Sequence, residues 1–227
     1  MTAPALTLRA ACAVLALLLA ACGKSDIPPV PEDIASPPEI AAPATPSGPR
    51  QFPTVLAVFE EMNDYTPDVG TLAIESLDPL RLRISPTIMS GEDPRIVRES
   101  VRRAVVYAVL RVFIHTDAQS LQVTAQPALL NMQRGTPQFG ERTLLSQPRA
   151  SVSVTRAQVE KLVKDMTGAD LPAMIGREII GGHFDPDTWS ELGLRLNYND
   201  QGPPGLDKFS AALGLEWQQG QPKGKKS

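Results

Sequence analysis

Cysteine and histidine are scarce in this chain, which has only two of each among its 227 residues. Cys12 lies within the apolar run 10–20, and Cys22 directly follows that run. If this run is removed on export, a single thiol is left, so the folded part can contain no disulfide bond, no thiol-exchange site and no cysteine metal centre. His115 and His183 are then the only imidazoles available for acid–base or metal chemistry.

The chain also lacks a basic block and a long hydrophobic segment. It carries 22 Lys and Arg against 25 Asp and Glu, a formal charge of −3, and the only basic cluster is Lys223, Lys225 and Lys226 near the end. This balance excludes nucleic acid as a partner. The apolar run 10–20 is about half the roughly 20 residues that a membrane-spanning helix needs, and no stop-transfer charges follow it, which disfavours a transmembrane helix.

What the N-terminus does contain is typical of a secretion signal: Arg9, then the apolar run, then small residues before Cys22. The sequence Leu19-Ala20-Ala21-Cys22 resembles the lipobox of bacterial lipoproteins. The resemblance implies cleavage before Cys22 and a diacylglycerol on its sulfur. An aspartate at the next position retains enterobacterial lipoproteins in the inner membrane, so Gly23 points to the outer membrane, facing the periplasm. A plain secretory signal is the alternative, because its cleavage sites also use small residues.

Three further regions follow the predicted signal peptide, residues 1–21. Its removal takes away Arg9 and no acid, so the formal charge changes from −3 to −4. Residues 22–53 are rich in proline and poor in large apolar residues, which predicts an extended tether. A proline-rich ligand for a partner is the alternative, although no regular P-x-x-P spacing supports it. Residues 54–217 form the predicted domain, and 218–227 a flexible basic tail.

The pattern of residues 54–217 predicts one α+β domain. Alternating apolar and polar residues predict strands over 80–84 and 121–125 and shorter ones near 144 and 152–154. Capping residues predict helices over 94–114, from 156 to Gly168 and from 186, and a last short helix is expected over 206–213. We therefore expect a small antiparallel or mixed sheet packed against a long helix, with additional C-terminal helices.

The long helix 94–114 begins amphipathic and becomes apolar nearly all round. Val106, Leu110 and Phe113 continue the line of the arginines in its first turns, so both faces of the helix must be covered. The chain's own C-terminal helices, through Trp189, Leu192, Leu196 and Phe209, are one candidate cover. A partner protein or a second copy of the chain is the other, which makes these three residues a candidate partner patch. Arg111 is expected to reach the helix end or to pair with an acid.

Polar candidates for a site are few. His115 stands at the end of the long helix, where we expect it to bond the last carbonyls and to interact with the helix dipole. His183, Asp185, Asp187 and Glu191 form a weak candidate polar site, but they lack the spacing of a zinc or calcium motif. We expect no metal and no cofactor.

No motif identifies an enzyme, since neither a G-x-S-x-G elbow nor an S-x-x-K sequence is present. The favoured hypothesis is a membrane-anchored, non-enzymatic interaction or assembly module of the bacterial envelope. Its partners would be the membrane, through Cys22, and an envelope protein or a second copy of the chain. The alternative is a domain that binds a small ligand or cell-wall glycan, with Trp189 and Trp217 as candidate contacts. A hydrolase with an unfamiliar site is the least favoured.

Overall fold

The fold is seen in a computed structural model that describes residues 48–136, 138–176, 179–180, 183–184 and 188–218. Its helices are α1 (Val55–Met62), α2 (Pro94–His115), α3 (Arg156–Thr167), α4 (Glu191–Asn197) and α5 (Leu206–Ala212), with a 3₁₀ helix at Leu171–Met174. Its strands are β1 (Leu72–Leu77), β2 (Leu80–Ile84), β3 (Thr87–Ile88), β4 (Ser120–Ala125), β5 (Ala128–Leu130), β6 (Arg142–Leu144), β7 (Arg149–Thr155), β8 (Ile179–Ile180), β9 (His183–Phe184) and β10 (Glu216–Gln218). The domain is α+β, as the sequence predicts.

The main sheet has five strands in the order β1-β2-β4-β7-β10. All neighbouring strands are antiparallel except β2 and β4, which are parallel because α2 carries the chain back between them. On β2, Leu80, Leu82 and Ile84 are buried while Arg81 is exposed, and α2 packs against β2, β4 and β7. Of the two predicted kinds of sheet, antiparallel or mixed, the sheet is mixed, and the predicted packing of a long helix against it is confirmed.

A second sheet has three strands and lies next to the central strands β2, β4 and β7 of the main sheet, with prolines between the two sheets. Its order, β3-β5-β6, repeats that of β2, β4 and β7. Pro86 and Pro127 separate the strands of the two sheets, and Pro148 directly precedes β7. Proline has no N–H to donate to a strand ladder, so it interrupts pairing. The amide of Ala128 donates to the carbonyl of Pro86 at 2.9 Å, which carries the pairing into the second sheet.

The long helix α2 has the bounds that its capping residues predict. The Asp93 carboxylate accepts a hydrogen bond from the amide of Arg95 at 2.8 Å, and Pro94 occupies the first turn. Every residue from Ala104 to His115 is buried, which confirms that the second half of the helix is covered on all sides. Within the described residues, no helix is both long enough and apolar enough to cross a bilayer.

The sheet covers one side of α2, and helices cover the other. Helices α1, α4 and α5 and the 3₁₀ helix all contact α2. Leu196 and Phe209 are buried in the same core, and Trp189 and Leu192 pack against it, as expected for a cover made by the chain itself. Gly193 permits the close approach of α4, because a Cβ there would collide with the Met174 carbonyl oxygen.

Two boundaries differ from the sequence prediction. Helix α4 begins at Glu191 and not at 186: the Ser190 side chain accepts from the amide of Gly193, while Trp189 forms a β-bridge with Ile175. The domain also begins before Thr54, because Phe52 is buried against α1. Helix α1 and the edge strands β1 and β10 carry no strong sequence signal and were not predicted.

Candidate functional site

Several predicted site residues lie outside the described part of the chain. This holds for the lipidation and sorting positions Cys22 and Gly23 and for Asp185 and Asp187. His183 lies in β9, but only its backbone is described. The anchor and most of the candidate polar site therefore stay predictions.

Glu191, the remaining member of the polar site, has a local role. It lies in the first turn of α4 and forms an ion pair with Arg195 one turn later. An acidic residue at a helix N-terminus stabilises the helix through the helix dipole, and its ion pair with a basic residue one turn later adds to this. No group of three His, Cys, Asp or Glu side chains that could hold a metal occurs among the described residues.

The candidate partner patch on α2 is not on the surface. Val106 and Leu110 are 0% exposed and Phe113 is 1% exposed. The reason is the helical cover described above, which closes over the side of α2 that faces away from the sheet. The hypothesis that these three residues receive a partner is therefore wrong.

Arg111 is enclosed in the core at 1% exposure. Its guanidinium carbon lies 4.0 Å from the centroid of the Trp189 ring, and its Nη1 lies 3.5 Å from Nε2 of His115. A desolvated cation over an indole face gains a favourable electrostatic interaction. The arginine thus reaches the last turn of α2, as expected, while pairing with an acid stays a prediction.

His115 is buried beside Arg111 and is held in its neutral form. Burial lowers the pKa of His115 to about 4, and the nearby Arg111 cation acts in the same direction. Its Nδ1 donates to the carbonyl of Arg50 at 2.8 Å, so Nε2 is the unprotonated nitrogen that faces the guanidinium. The expected structural role is present, but the bonded carbonyl belongs to Arg50 and not to α2. Because the ring is neutral, it adds no charge to the helix dipole at neutral pH.

The carbonyls at the C-terminus of α2 all have partners. Two of these partners come from residues Arg50–Phe52, which we call the entry segment. The Gln51 side chain donates to the carbonyl of Ile114 at 2.9 Å, and the Phe52 amide donates to the carbonyl of His115 at 2.8 Å. The other two carbonyls, of Val112 and Phe113, accept from Thr116 and from the Arg156 guanidinium. Unpaired carbonyls at a buried helix end would be costly, so the entry segment belongs to the folded domain.

Arg156 closes the same end of the molecule from another direction. Its Nη1 lies 2.7 Å from the carbonyl of Phe113 and its Nε 3.0 Å from that of Ala118, and Nη2 donates to the carbonyl of Thr116. A fixed cation at a helix C-terminus also opposes the negative end of the dipole. We call this region, formed by the entry segment, Arg156 and the last turn of α2, the capped end.

All three tyrosines of the chain gather around the middle of α2. The Tyr107 ring lies 5.4 Å from Tyr65 and 6.1 Å from Trp189, and the Arg103 guanidinium lies 4.6 Å from the centre of Tyr198. Burial, followed by the neighbouring Asp64, raises the pKa of the Tyr65 hydroxyl well above its usual range. The Tyr65 hydroxyl is therefore protonated at neutral pH, and the three rings pack the helix through ring and cation contacts.

The two tryptophans proposed as glycan contacts are both engaged within the domain. Trp189 is half-buried under Arg111, and Trp217, also half-buried, has Arg98 at 4.4 Å and Arg102 at 5.7 Å from its ring centroid. Stacked sugars need an exposed ring face, and these guanidinium groups already lie over the rings. The tryptophans give no support to the glycan-binding alternative.

A half-open depression of about 280 Å³ lies between β7, α3 and α5. This is slightly below the range of about 300–1,000 Å³ that is usual for small-molecule sites. The two charged residues of its lining, Lys161 and Asp165, pair with each other one helical turn apart. Of its other polar lining residues, Gln158 is engaged in the capping box of α3, which leaves Ser153.

Exposed apolar side chains mark the opposite end of the domain. Among the described residues, the large hydrophobic side chains that are exposed are Val69, Leu77, Met89, Ile96, Met132, Phe139 and Leu144. All except Leu77 lie around the second sheet and the N-terminus of α2. We call these six side chains the apolar end. Exposed apolar groups concentrated in one place indicate a contact surface more strongly than scattered ones do.

The topology brings these six residues together from five segments of the chain. Met89 follows β3, Ile96 lies in the first turn of α2, and Leu144 lies on β6. Met132 and Phe139 belong to the loop from β5 to β6, which is closed by a 2.8 Å hydrogen bond from the amide of Gly140 to the carbonyl of Asn131.

Val69 lies in a loop whose preceding residue, Asp68, is close to the second sheet. Arg142 of β6 lies near enough to Asp68 to contribute to the lowered pKa of that carboxyl, although a hydrogen bond from Thr66 is the larger cause. The Nε of Arg142 also donates to the Thr87 hydroxyl of β3 at 3.1 Å. Val69 itself lies three residues before Leu72, which pairs with Ile84 at the end of β2 that leads into β3, so Val69 is part of the same end of the domain.

Comparisons with family models, with curated proteins and with solved structures find no match to this chain. Its function must therefore be inferred from the residues themselves. Sequence reasoning missed the apolar end, and the one local signal for it was the presence of Met132 and Phe139 in an otherwise polar, glycine-containing loop.

Proposed function

We propose that this protein is a lipoprotein of the bacterial envelope whose folded domain acts as a non-enzymatic interaction module. A diacylglycerol on Cys22 holds it in the outer membrane facing the periplasm, and residues 22–49 are the tether. The observation that carries the proposal is the location of the apolar end, six exposed hydrophobic side chains around the second sheet and the N-terminus of α2, whereas the entry segment bonds to the C-terminus of α2.

The entry segment supports this arrangement. The tether joins the domain where Arg50–Phe52 bond to the last turn of α2. Since those bonds fix the point of attachment, the apolar end is presented at the other end of α2. A domain that is held at one end and exposes hydrophobic side chains at the other is suited to contact a further component of the envelope.

The anchor is tested by metabolic labelling with a palmitate analogue in the native bacterium. We expect the wild-type chain to incorporate the label and to fractionate with the outer membrane, and Cys22→Ser to remain an unlabelled precursor. Two or three acyl chains hold a protein far more firmly than one, so the anchor should be effectively permanent. A water-soluble, mature wild-type chain with an unmodified Cys22 would refute the anchor.

The contact surface is tested by photo-crosslinking in growing cells. A photoreactive amino acid is placed at Met132, in the apolar end, or at Leu77, which is 77% exposed but lies near the capped end. We expect position 132 to crosslink to a defined envelope component and position 77 to give only background. Equal, diffuse crosslinking at both positions would contradict the assignment of the contact surface.

A further inference from the structure

We propose that the component contacted by the apolar end is the lipid bilayer itself, the same membrane surface that holds the chain's own anchor. This inference rests on the proposed function, because it requires the anchor on Cys22. The apolar end would insert its side chains among the lipid headgroups, so that the domain lies docked on the membrane between its tether and its hydrophobic loops.

The length of chain between anchor and domain allows this. Helix α2 has 22 residues and is about 33 Å long, and the entry segment lies at its far end. Residues 23–49 would span about 80 Å at roughly 3 Å per residue in an extended, proline-rich tether. The tether is therefore long enough to pass the whole domain and still let the apolar end touch the bilayer.

The anchor also keeps the bilayer close at all times. Tethering converts docking into an intramolecular step with a high effective concentration, so even a weak contact is well populated. A free partner protein has no such advantage. This difference favours lipid over protein as the occupant.

The chemistry of the apolar end fits a membrane interface. Its residues are methionine, phenylalanine, leucine, isoleucine and valine, and they project from separate loops and element ends. Charges of both signs surround them, with Arg95 paired to Asp93 at 2.7 Å and Arg142 near Asp68. Docking should therefore depend on hydrophobic insertion and not on anionic lipid, and it should persist at high salt.

The test uses the full lipidated chain reconstituted in vesicles of phosphatidylcholine and phosphatidylethanolamine. The acylated Cys22 has no free thiol, so Met132→Cys and Leu77→Cys each provide one labelling site for an environment-sensitive fluorophore. Both positions are exposed, and unfolding curves check that each labelled chain is folded. Quenching by nitroxide-bearing lipids then reports which end of the domain meets the bilayer.

We expect the fluorescence emission of the label at position 132 to shift to shorter wavelength. We also expect nitroxide-bearing lipids to quench this label severalfold more than the label at position 77, at both low and high salt. Equal quenching, or stronger quenching at 77, would overturn the inference. If the label at 132 stays in water while a photo-crosslinker at 132 captures an envelope protein in cells, the lipid inference fails and the proposed function stands. If neither contact is found at 132, both fail.

Discussion

The two ends of α2 are built in opposite ways. At the capped end, each of the last four carbonyls has a hydrogen-bond partner, and the side chains of the last three turns are buried. At the apolar end, the first turn is held mainly by Asp93, and hydrophobic side chains face the solvent. The difference indicates that stability is concentrated at the capped end, while the apolar end is free to make contacts.

The largest difference is expected between Leu110→Asp and Leu144→Asp. A carboxylate at position 110 would be buried without a partner, and the free energy of unfolding of the domain should fall to near zero. Position 144 is 42% exposed, so the same change there should alter the free energy of unfolding by no more than about 0.5 kcal/mol. Urea unfolding followed by circular dichroism measures both, and a folded Leu110→Asp domain would contradict the burial of the former partner patch.

Removal of the entry segment should be the next largest effect. A chain that begins at Thr54 loses the buried Phe52 ring and leaves the carbonyls of Ile114 and His115 without their partners. We expect a loss of about 4 kcal/mol relative to a chain that begins at Gly48. Equal melting temperatures for the two chains would show that the capped end does not need the entry segment.

Arg156→Ala should cost about 3 kcal/mol, because it removes a cation that donates to three carbonyls around the C-terminus of α2. The matched control is Arg142→Ala at the apolar end, where the exposed guanidinium bonds to Thr87. That change should cost less than about 1 kcal/mol. Equal losses in the two variants, measured by urea unfolding, would remove the distinction between the ends.

His115 should make the capped end sensitive to acid. Its pKa is about 4 in the folded chain and about 6.5 when unfolded, so only the unfolded state takes up this proton as the pH falls from 6.5 towards 4. Stability from this group is thus fully present above pH 6.5, and about 2 kcal/mol of it is lost between pH 7 and pH 5.

The control for this effect is His115→Asn, which keeps a side-chain N–H near Nδ1 but does not titrate. Unfolding free energies of both chains at pH 7 and pH 5 isolate the contribution of the imidazole. The asparagine chain should lose about 2 kcal/mol less than the wild type over this interval. The same loss in both chains would show that His115 is not held neutral.

The sequence predicts the long elements well because their signals are local. Asp93-Pro94 starts α2, and the Thr155–Gln158 capping box starts α3, which ends where Gly168 takes the left-handed conformation. The same reasoning failed for α4, where Asp185-Pro186 repeats the pattern of α2 but the helix begins at Glu191. There, the bridge between Trp189 and Ile175 determines the backbone, and a tertiary contact overrides the local signal.

The features that matter most for function are not local. Strands β3 and β5 have two and three residues, too few to show a period, and the apolar end combines side chains from five segments. The entry segment has the composition of a tether, and Phe52, the one aromatic residue in 22–53, is the only hint that it docks. Such features depend on how distant parts of the chain pack, which one sequence does not reveal.

The most direct test of the contrast between the two ends is the free energy of unfolding of a chain in which Met132, Phe139 and Leu144 are all replaced by serine. These side chains are 51%, 49% and 42% exposed, so we expect each replacement to change the free energy of unfolding by no more than about 0.5 kcal/mol. That result would show that these side chains do not stabilise the domain and are available for contacts outside it. A loss of several kcal/mol would show that these side chains stabilise the domain, and it would contradict their assignment as a contact surface.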